Sequence, residues 1–472
     1  MRAIVIAGGG TAGLALALAL GGRGHRVRVL ERGETPPYGP VRKSAESWRR
    51  PAVPQAAHDH VLNALGVRTL RRHAPGVLTA LLADGARLLD LRTAAPGEVD
   101  DPDLVTLFCR RSVLDLVLHR AASALPTVTI SHDTVVTGLL LDSDRAAGVV
   151  TDSGETLAAD LVVDASGRRC ASRTWLAAAG VPAGKDLTGA SHLRAFGRFY
   201  RLREPGGSPP GPLNRGNAAG GIWGHYSAVA HPADNDVFAI TLGTLPGDHA
   251  TTALRDPGAF TAVCGISPYL LPWVDENAVQ PLGPVRVIGM PPNLLRDASP
   301  FPGLLRVGDA ACVTDPMFGR GLALALTHAF RLADLIDRHP SAAAELGRAA
   351  ADLTDELLRP WYEQAIHDSW TRVERWRAAT GTPPASRRPP VPPVPPDLWA
   401  AAIEATATDP VVWRGVTRAR TSLTTPARLF ADEHFPSRVR QASANPAPSA
   451  ETAPPTRTEL LETIRATVRK GR

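Results

Sequence analysis

The sequence predicts an α/β protein with a Rossmann-type domain, an inserted β-sheet domain and a C-terminal helical region. Three observations predict it. A short β-branched run, Ile4-Val5-Ile6, leads into the turn Gly8-Gly9-Gly10-Thr11-Ala12-Gly13 and a helix-favouring stretch, Leu14 to Leu20. Much later, Leu304-Leu305-Arg306-Val307 runs into Gly308-Asp309, and Phe318-Gly319-Arg320-Gly321 opens a new helix, Leu322 to Ile336. From about residue 346 the spacing of apolar positions becomes helical.

The first unit reads as a strand, a tight turn and a helix. Gly8 allows the turn, Gly10 lets the backbone approach a pyrophosphate, and Gly13 lets the helix pack close to the strand. The helix N-terminus offers free N–H groups and the positive end of its dipole to phosphates. Arg26-Val27-Arg28-Val29-Leu30 is the next strand, and Glu31 at its end can accept hydrogen bonds from ribose hydroxyls. This is a Rossmann-type unit. By itself it does not separate FAD from NAD.

Between the two glycine motifs, Arg110-Arg111-Ser112-Val113-Leu114 opens a helix. Val128 to Val163 holds three short β-rich runs that suit a small β-meander. Leu161-Val162-Val163-Asp164-Ala165-Ser166-Gly167 reads as a strand ending in a turn. The expected first domain is therefore discontinuous, residues 1–176 and 285–345. Residues 177–284 form an inserted β-sheet domain, with partial alternation over His192 to Leu202 and Asn235 to Leu245, and with Trp223, His225 and Tyr226 on a strand-like run. Residues 346–472 are helical, over Arg348 to Leu358, Trp361 to Trp376 and a cap from Trp399 to Leu429. A stiff Pro-rich spacer is expected at 383–396, disorder at 443–456, and a loose final helix from Arg457 to Lys470.

The late motif decides the cofactor. Here the chain resembles the FAD-dependent monooxygenases of the p-hydroxybenzoate hydroxylase type, in a glutathione-reductase-like fold. In that family the Gly-Asp motif holds the flavin ribityl chain, and a Pro-x-x-Gly-x-Gly loop lies against the isoalloxazine ring. Asp309, Pro316, Gly319 and Gly321 match it. The family's Arg-x-x-Leu segment maps its flavin-side arginine onto Arg111, with Leu114 at the right spacing. The middle motif departs: the family's aspartate falls on Ser166, and an acid, Asp164, stands two residues earlier. Asp-Ala-Ser-Gly looks more like the flavin epoxidases of polyether biosynthesis, the styrene monooxygenases and the geranylgeranyl reductases. Pro54-Gln55 followed by His58 and His60 is similar to a segment of the epoxidases, and makes both histidines candidates beside the flavin.

The resemblance implies a FAD monooxygenase that hydroxylates or epoxidises a hydrophobic small molecule, such as a polyketide or other secondary metabolite. Cofactor contacts are expected from Gly8, Gly10, Gly13, Glu31, Arg111, Asp164, Asp309, Pro316, Gly319 and Gly321. NAD(P)H would supply electrons directly or through a separate flavin reductase, and O2 would be the co-substrate. A flavin alkene reductase and a non-redox cyclase that keeps FAD as structure are the other readings. The Trp-x-Trp-x-Ile-Pro motif of halogenases is missing.

Composition narrows the class. The 472 residues are 44% hydrophobic and 21% charged, which excludes wholesale disorder. The net charge is +6, but Lys43, Lys185 and Lys470 are the only lysines, and the arginines are spread along the chain without an aromatic-laced basic stripe. Nucleic acid is therefore not an expected partner. No apolar run near the start approaches the ~20 residues of a membrane span, and only Arg2 is charged before Leu14, so neither an anchor nor a signal peptide is expected. Cys109, Cys170, Cys264 and Cys312 form no CxxC pair or zinc spacing. They read as buried reduced thiols of a cytoplasmic protein, with no metal site.

Overall fold

The computed structural model describes residues 1–182, 184–298, 301–339, 343–384, 394–444 and 453–470. Its spine is a five-stranded parallel sheet in the order Leu304–Arg306, Leu161–Asp164, Ala3–Ala7, Arg26–Leu30, Val128–Ser131. Ile4, Val5 and Ile6 are buried on both faces, as a strand between helical layers must be. The helices Thr11–Gly21, Arg111–Ser123 and Gly321–Arg338 pack on it through Leu14, Leu16, Leu118, Leu326 and Phe330. Of the β-rich residues 128–163, the outer runs join this sheet. Val136–Asp142, Arg145–Thr151 and Thr156–Ala158 make the antiparallel meander.

The inserted domain is an antiparallel sheet in the order Ala219–Ile222, Ser227–Pro232, Val237–Thr244, Arg194–Leu202, Val279–Gly289. Its last strand pairs Ile288 with Ala195, so the insert runs past the expected boundary at 284. Alternation sorts its faces. Phe196, Ala228, Ala230, Phe238, Ile240 and Leu242 face a core with Phe260 and Trp273. Ala195, Ser227, Val229, His231, Thr241 and Gly243 face the first domain across a cavity. Trp223 to Tyr226 is the turn between two strands rather than a strand, and Tyr226 is buried in the core. The two domains are tied by Arg110, whose Nε donates to both oxygens of the buried Asp234 at 2.7 and 2.8 Å.

The C-terminal region is helical as expected, with Ala343–Leu353, Arg359–Thr380, Pro396–Ala405, Pro410–Arg420 and shorter pieces. Residues 385–393 of the expected spacer and 445–452 of the expected disordered stretch lie outside the described residues. The final helix, Arg457–Lys470, is not loose. Leu460 and Ile464 enter the core of the inserted domain, and Arg457 donates to both oxygens of Asp248 at 2.8 and 3.0 Å. All four cysteines are buried and free. Among the described residues, no helix is long and apolar enough to cross a membrane.

Leu460 is fully buried, so truncating it leaves a cavity under the inserted sheet. Leu460→Ala should cost about 2–5 kcal/mol of stability. Urea titration followed by tryptophan fluorescence measures this, and an unchanged midpoint would show that the helix does not dock there.

Candidate functional site

The glycine turn is set by sterics. Gly8 has φ +119°, and a Cβ there would lie 2.4 Å from the Ala165 carbonyl oxygen. A Cβ on Gly13 would lie 2.0 Å from the Gly8 oxygen. Neither position can hold a larger residue. A Cβ on Gly10 would meet nothing within 4 Å, because Gly10 faces the cavity. Gly10 caps the helix without a side-chain bond, leaving its first amides free. Glu31 closes the same corner: its Oε2 accepts from the Gly9 amide at 2.6 Å and its Oε1 from the Gly33 amide at 2.8 Å.

Asp115 was not singled out in the sequence, yet it is the hub of this corner. It is fully buried and accepts from the Thr11 hydroxyl, from Arg50 and, at 3.3 Å, from Arg111 Nε. Burial alone would raise its pKa, but the two guanidiniums and the Thr11 bond carry it below the ordinary carboxylate range. Arg50 also donates to the Gly9 carbonyl at 3.2 Å and lies 4.3 Å over the Trp48 ring. The available signal was a carboxylate inside the apolar run Val113-Leu114-Asp115-Leu116, four residues after Arg111.

From this corner a cavity of about 1150 Å³ runs between the two sheets. It exceeds the ~300–1,000 Å³ usual for one small ligand and leaves room for an extended dinucleotide plus a second molecule. Gly8, Gly10, Glu31, Arg111, Asp309, Pro316, Gly319 and Gly321 all line it. Gly13 lies behind it, packed on the Gly8 carbonyl. No described residue donates a hydrogen bond to Asp309. Burial pushes its pKa upward against the attraction of Arg111 and Arg168. A half-buried carboxylate without a donor among the described residues, facing open space, fits the hydroxyls of a bound polyol chain. Gly308, before it, is held by His328, whose Nδ1 accepts from the Gly308 amide at 3.3 Å.

The turn Pro316–Phe318 ends at Gly319, with φ +62°, where a Cβ would meet nothing within 4 Å. Asp315 pins this turn. It accepts from the Met317 amide at 3.0 Å, the Ser369 hydroxyl at 2.8 Å and Arg372 at 2.6 Å. Helix Gly321–Arg338 starts here without a side-chain cap, so its positive end also faces the cavity.

His58 and His60 both line the cavity. Burial, helped by Arg111, lowers His60 to about 4, and burial lowers His58 as well. Both are therefore neutral near pH 7. Asp164 departs from expectation. It is fully buried and does not line the cavity, because its oxygens accept from the amides of Ser166 and Ser172, each at 2.8 Å. It fixes the turn and the start of helix Ala171–Ala178 instead of facing a cofactor. Asp59, His231 and Thr241 also meet at the cavity wall, and no sequence pattern joined them.

Residues 1–190 match the family of the FAD binding domain. These first 190 residues are thus a FAD-binding domain. It is 27% identical over 406 residues to Protein Rv3254 of Mycobacterium tuberculosis, covering 77% of this chain and 79% of that one. It is 28% identical over 397 residues to kynurenine 3-monooxygenase of Salinispora arenicola, covering 79% and 81%. Among solved structures, PqsL of Pseudomonas aeruginosa, a probable FAD-dependent monooxygenase, superposes with TM-score 0.61 at 18% identity, over 80% of this chain and 98% of that one. The Diels-Alderase PyrE3 of pyrroindomycin biosynthesis superposes with TM-score 0.59 at 18% identity, over 90% and 81%. These two share the fold.

Two outcomes follow for this flavoprotein. Asp309→Ala should purify with markedly less FAD, read as the ratio of flavin to protein absorbance; an unchanged ratio would remove Asp309 from the cofactor site. Stability should also fall as pH drops from about 6.5 toward 4. Burial holds His60 and His328 at about 4, so between those values the unfolded chain takes up protons that the folded chain refuses. Thermal melts from pH 7 to 4.5 measure it, and a flat profile would contradict the burial of these rings.

Proposed function

We propose that this flavoprotein adds one oxygen atom from O2 to a hydrophobic small molecule of secondary metabolism. The observation that carries this reading is one cavity that runs continuously from the glycine turn to the inserted sheet. Its near end suits FAD. The glycine turn and helix N-terminus would take the pyrophosphate, Glu31 the ribose, and Asp309 the ribityl chain. Arg111, Pro316, Gly319 and Gly321 would lie along the ring system. Its far end is walled by Ala195, Val229, Met290 and Met317, and roofed by Trp399, Ile403 and Trp413 of the C-terminal helices.

Bound FAD supplies the electrons that activate O2 and makes one oxygen atom electrophilic. The protein's part is to bind, orient and keep water out. The apolar wall and the tryptophan roof exclude water from the reacting centre. Neutral His58 and His60 add no positive charge there. The N-terminus of helix Gly321–Arg338 would favour negative charge on a ring held beside it. Electrons come from NAD(P)H. Ser166 stands where the related hydroxylases carry an aspartate, and the Asp164 carboxylate is occupied by backbone amides, which supports delivery through a separate flavin reductase.

A second reading, non-redox use of the fold, is favoured by that same occupied Asp164 and by the likeness to a Diels-Alderase. Turnover under ¹⁸O₂ separates the two. One labelled oxygen in the product is expected; an unlabelled product formed equally well without O2 would overturn oxygen insertion. Anaerobic mixing with NADPH, and then with NADH, should bleach the flavin only slowly until a flavin reductase is added. Rapid bleaching without it would overturn the need for a partner.

A further inference from the structure

The wall contributed by the inserted sheet holds a polar group of residues that flavin binding does not use. His231 Nδ1 lies 2.7 Å from Asp59 Oδ2, an ion-pair contact whose N–H direction falls short of a hydrogen bond. Asp59 Oδ1 accepts from the Thr241 hydroxyl. His231 and Thr241 stand on neighbouring strands, and Asp59 reaches them from the segment before Val61–Leu62, so three separate pieces of chain converge. The side chains of His231 and Asp59 keep 19% and 17% of their surface open, and all three residues line the cavity.

The groups around this site separate the roles of its histidines. Burial alone would raise the Asp59 carboxyl, but His231 and Thr241, helped by His60, carry it far below its ordinary value. It is therefore an ionised acceptor. His58 and His60, its neighbours in the chain, are held neutral by burial, with Arg286 acting on the first and Arg111 on the second. Of the three imidazoles, only His231 has a carboxylate in contact through a ring nitrogen. A carboxylate at Nδ1 favours the tautomer with the proton there and leaves the Nε2 lone pair for a ligand.

We propose that His231, positioned by Asp59 and Thr241, accepts a proton from a weakly acidic hydroxyl on the molecule bound in this cavity. The proposal rests on the reading of this compartment as the substrate site. In the step the substrate O–H bond breaks and an N–H bond forms at Nε2. The oxygen keeps the electron pair, and the new imidazolium is balanced by Asp59. No oxidant or reductant enters. The ionised oxygen raises electron density on conjugated carbon, where an electrophilic oxygen atom attacks. An isolated alkene has no such proton to give. The site therefore selects a phenol or enol for hydroxylation over an isolated alkene for epoxidation.

A binding comparison tests this without turnover, so its failure is separate from a failure of oxygen insertion. The FAD-loaded oxidised enzyme is titrated with 4-nitrophenol and with 4-nitroanisole, its methyl ether, and binding is read by tryptophan quenching and difference absorbance. The wild type should prefer the phenol by about tenfold or more and bind it as the coloured phenolate below the pH at which the free probe ionises. His231→Gln and Asp59→Asn should bring the ratio near one while still binding the ether; Thr241→Val should lower it partly. Retained flavin absorbance marks a folded variant, and the wild-type ratio decides by itself if one variant fails to fold. A wild-type ratio near one, or a ratio preserved in His231→Gln, would overturn the assignment.

Discussion

The rest of the site depends on a close approach between the first helix and the turn before it. A methyl group at Gly13 would sit 2.0 Å from the Gly8 carbonyl, and one at Gly8 would sit 2.4 Å from the Ala165 carbonyl. Only glycine satisfies both contacts. That constraint fixes where helix Thr11–Gly21 begins and brings its free amides to the edge of the parallel sheet. It also draws the turn at 165–167 against the first strand, so the middle and first motifs meet although they are far apart in sequence. Asp115 then clamps the corner by binding Thr11, Arg50 and Arg111 at once. Removing Asp115 would take the shared buried counter-charge from both arginines.

The rest of the site is assembled against that corner by two other buried ion pairs. Arg110 joins Asp234 and sets the inserted sheet against the first domain. Arg372 joins Asp315 and sets helix Arg359–Thr380 against the turn Pro316–Phe318. The cavity is the space these contacts leave open. One end is lined by glycines and backbone amides, which suit phosphate and ribose. The other is lined by small and apolar side chains from alternate positions of the inserted sheet, which suit a hydrophobic molecule. The chemistry differs along the cavity because different layers of the fold line it.

Much of this was legible in the chain. The glycine turn, Glu31 and Asp309 could be read because each belongs to a local pattern of strand, turn and helix. Local patterns carry their own steric reasons. Asp164 was misread for the same reason: it stands at the right place in a strand end, but its orientation depends on amides eight residues on. The final helix was misread because Leu460 and Ile464 have their partners in a core assembled some two hundred residues earlier. Its helical character was visible, but what covered its apolar face was not.

By itself the sequence determined the α/β class, the glycine turn of the first unit and the alternation of the inserted strands. Each follows from sterics or periodicity within a few residues. The tertiary structure alone decided which polar groups meet. Thr11 with Asp115, Arg110 with Asp234, Asp59 with His231 and Asp315 with Arg372 are separated by 104, 124, 172 and 57 positions. No propensity spans such distances. These pairs form because folding buries their partners in the same place, where an ionised group without a counter-charge is strongly disfavoured.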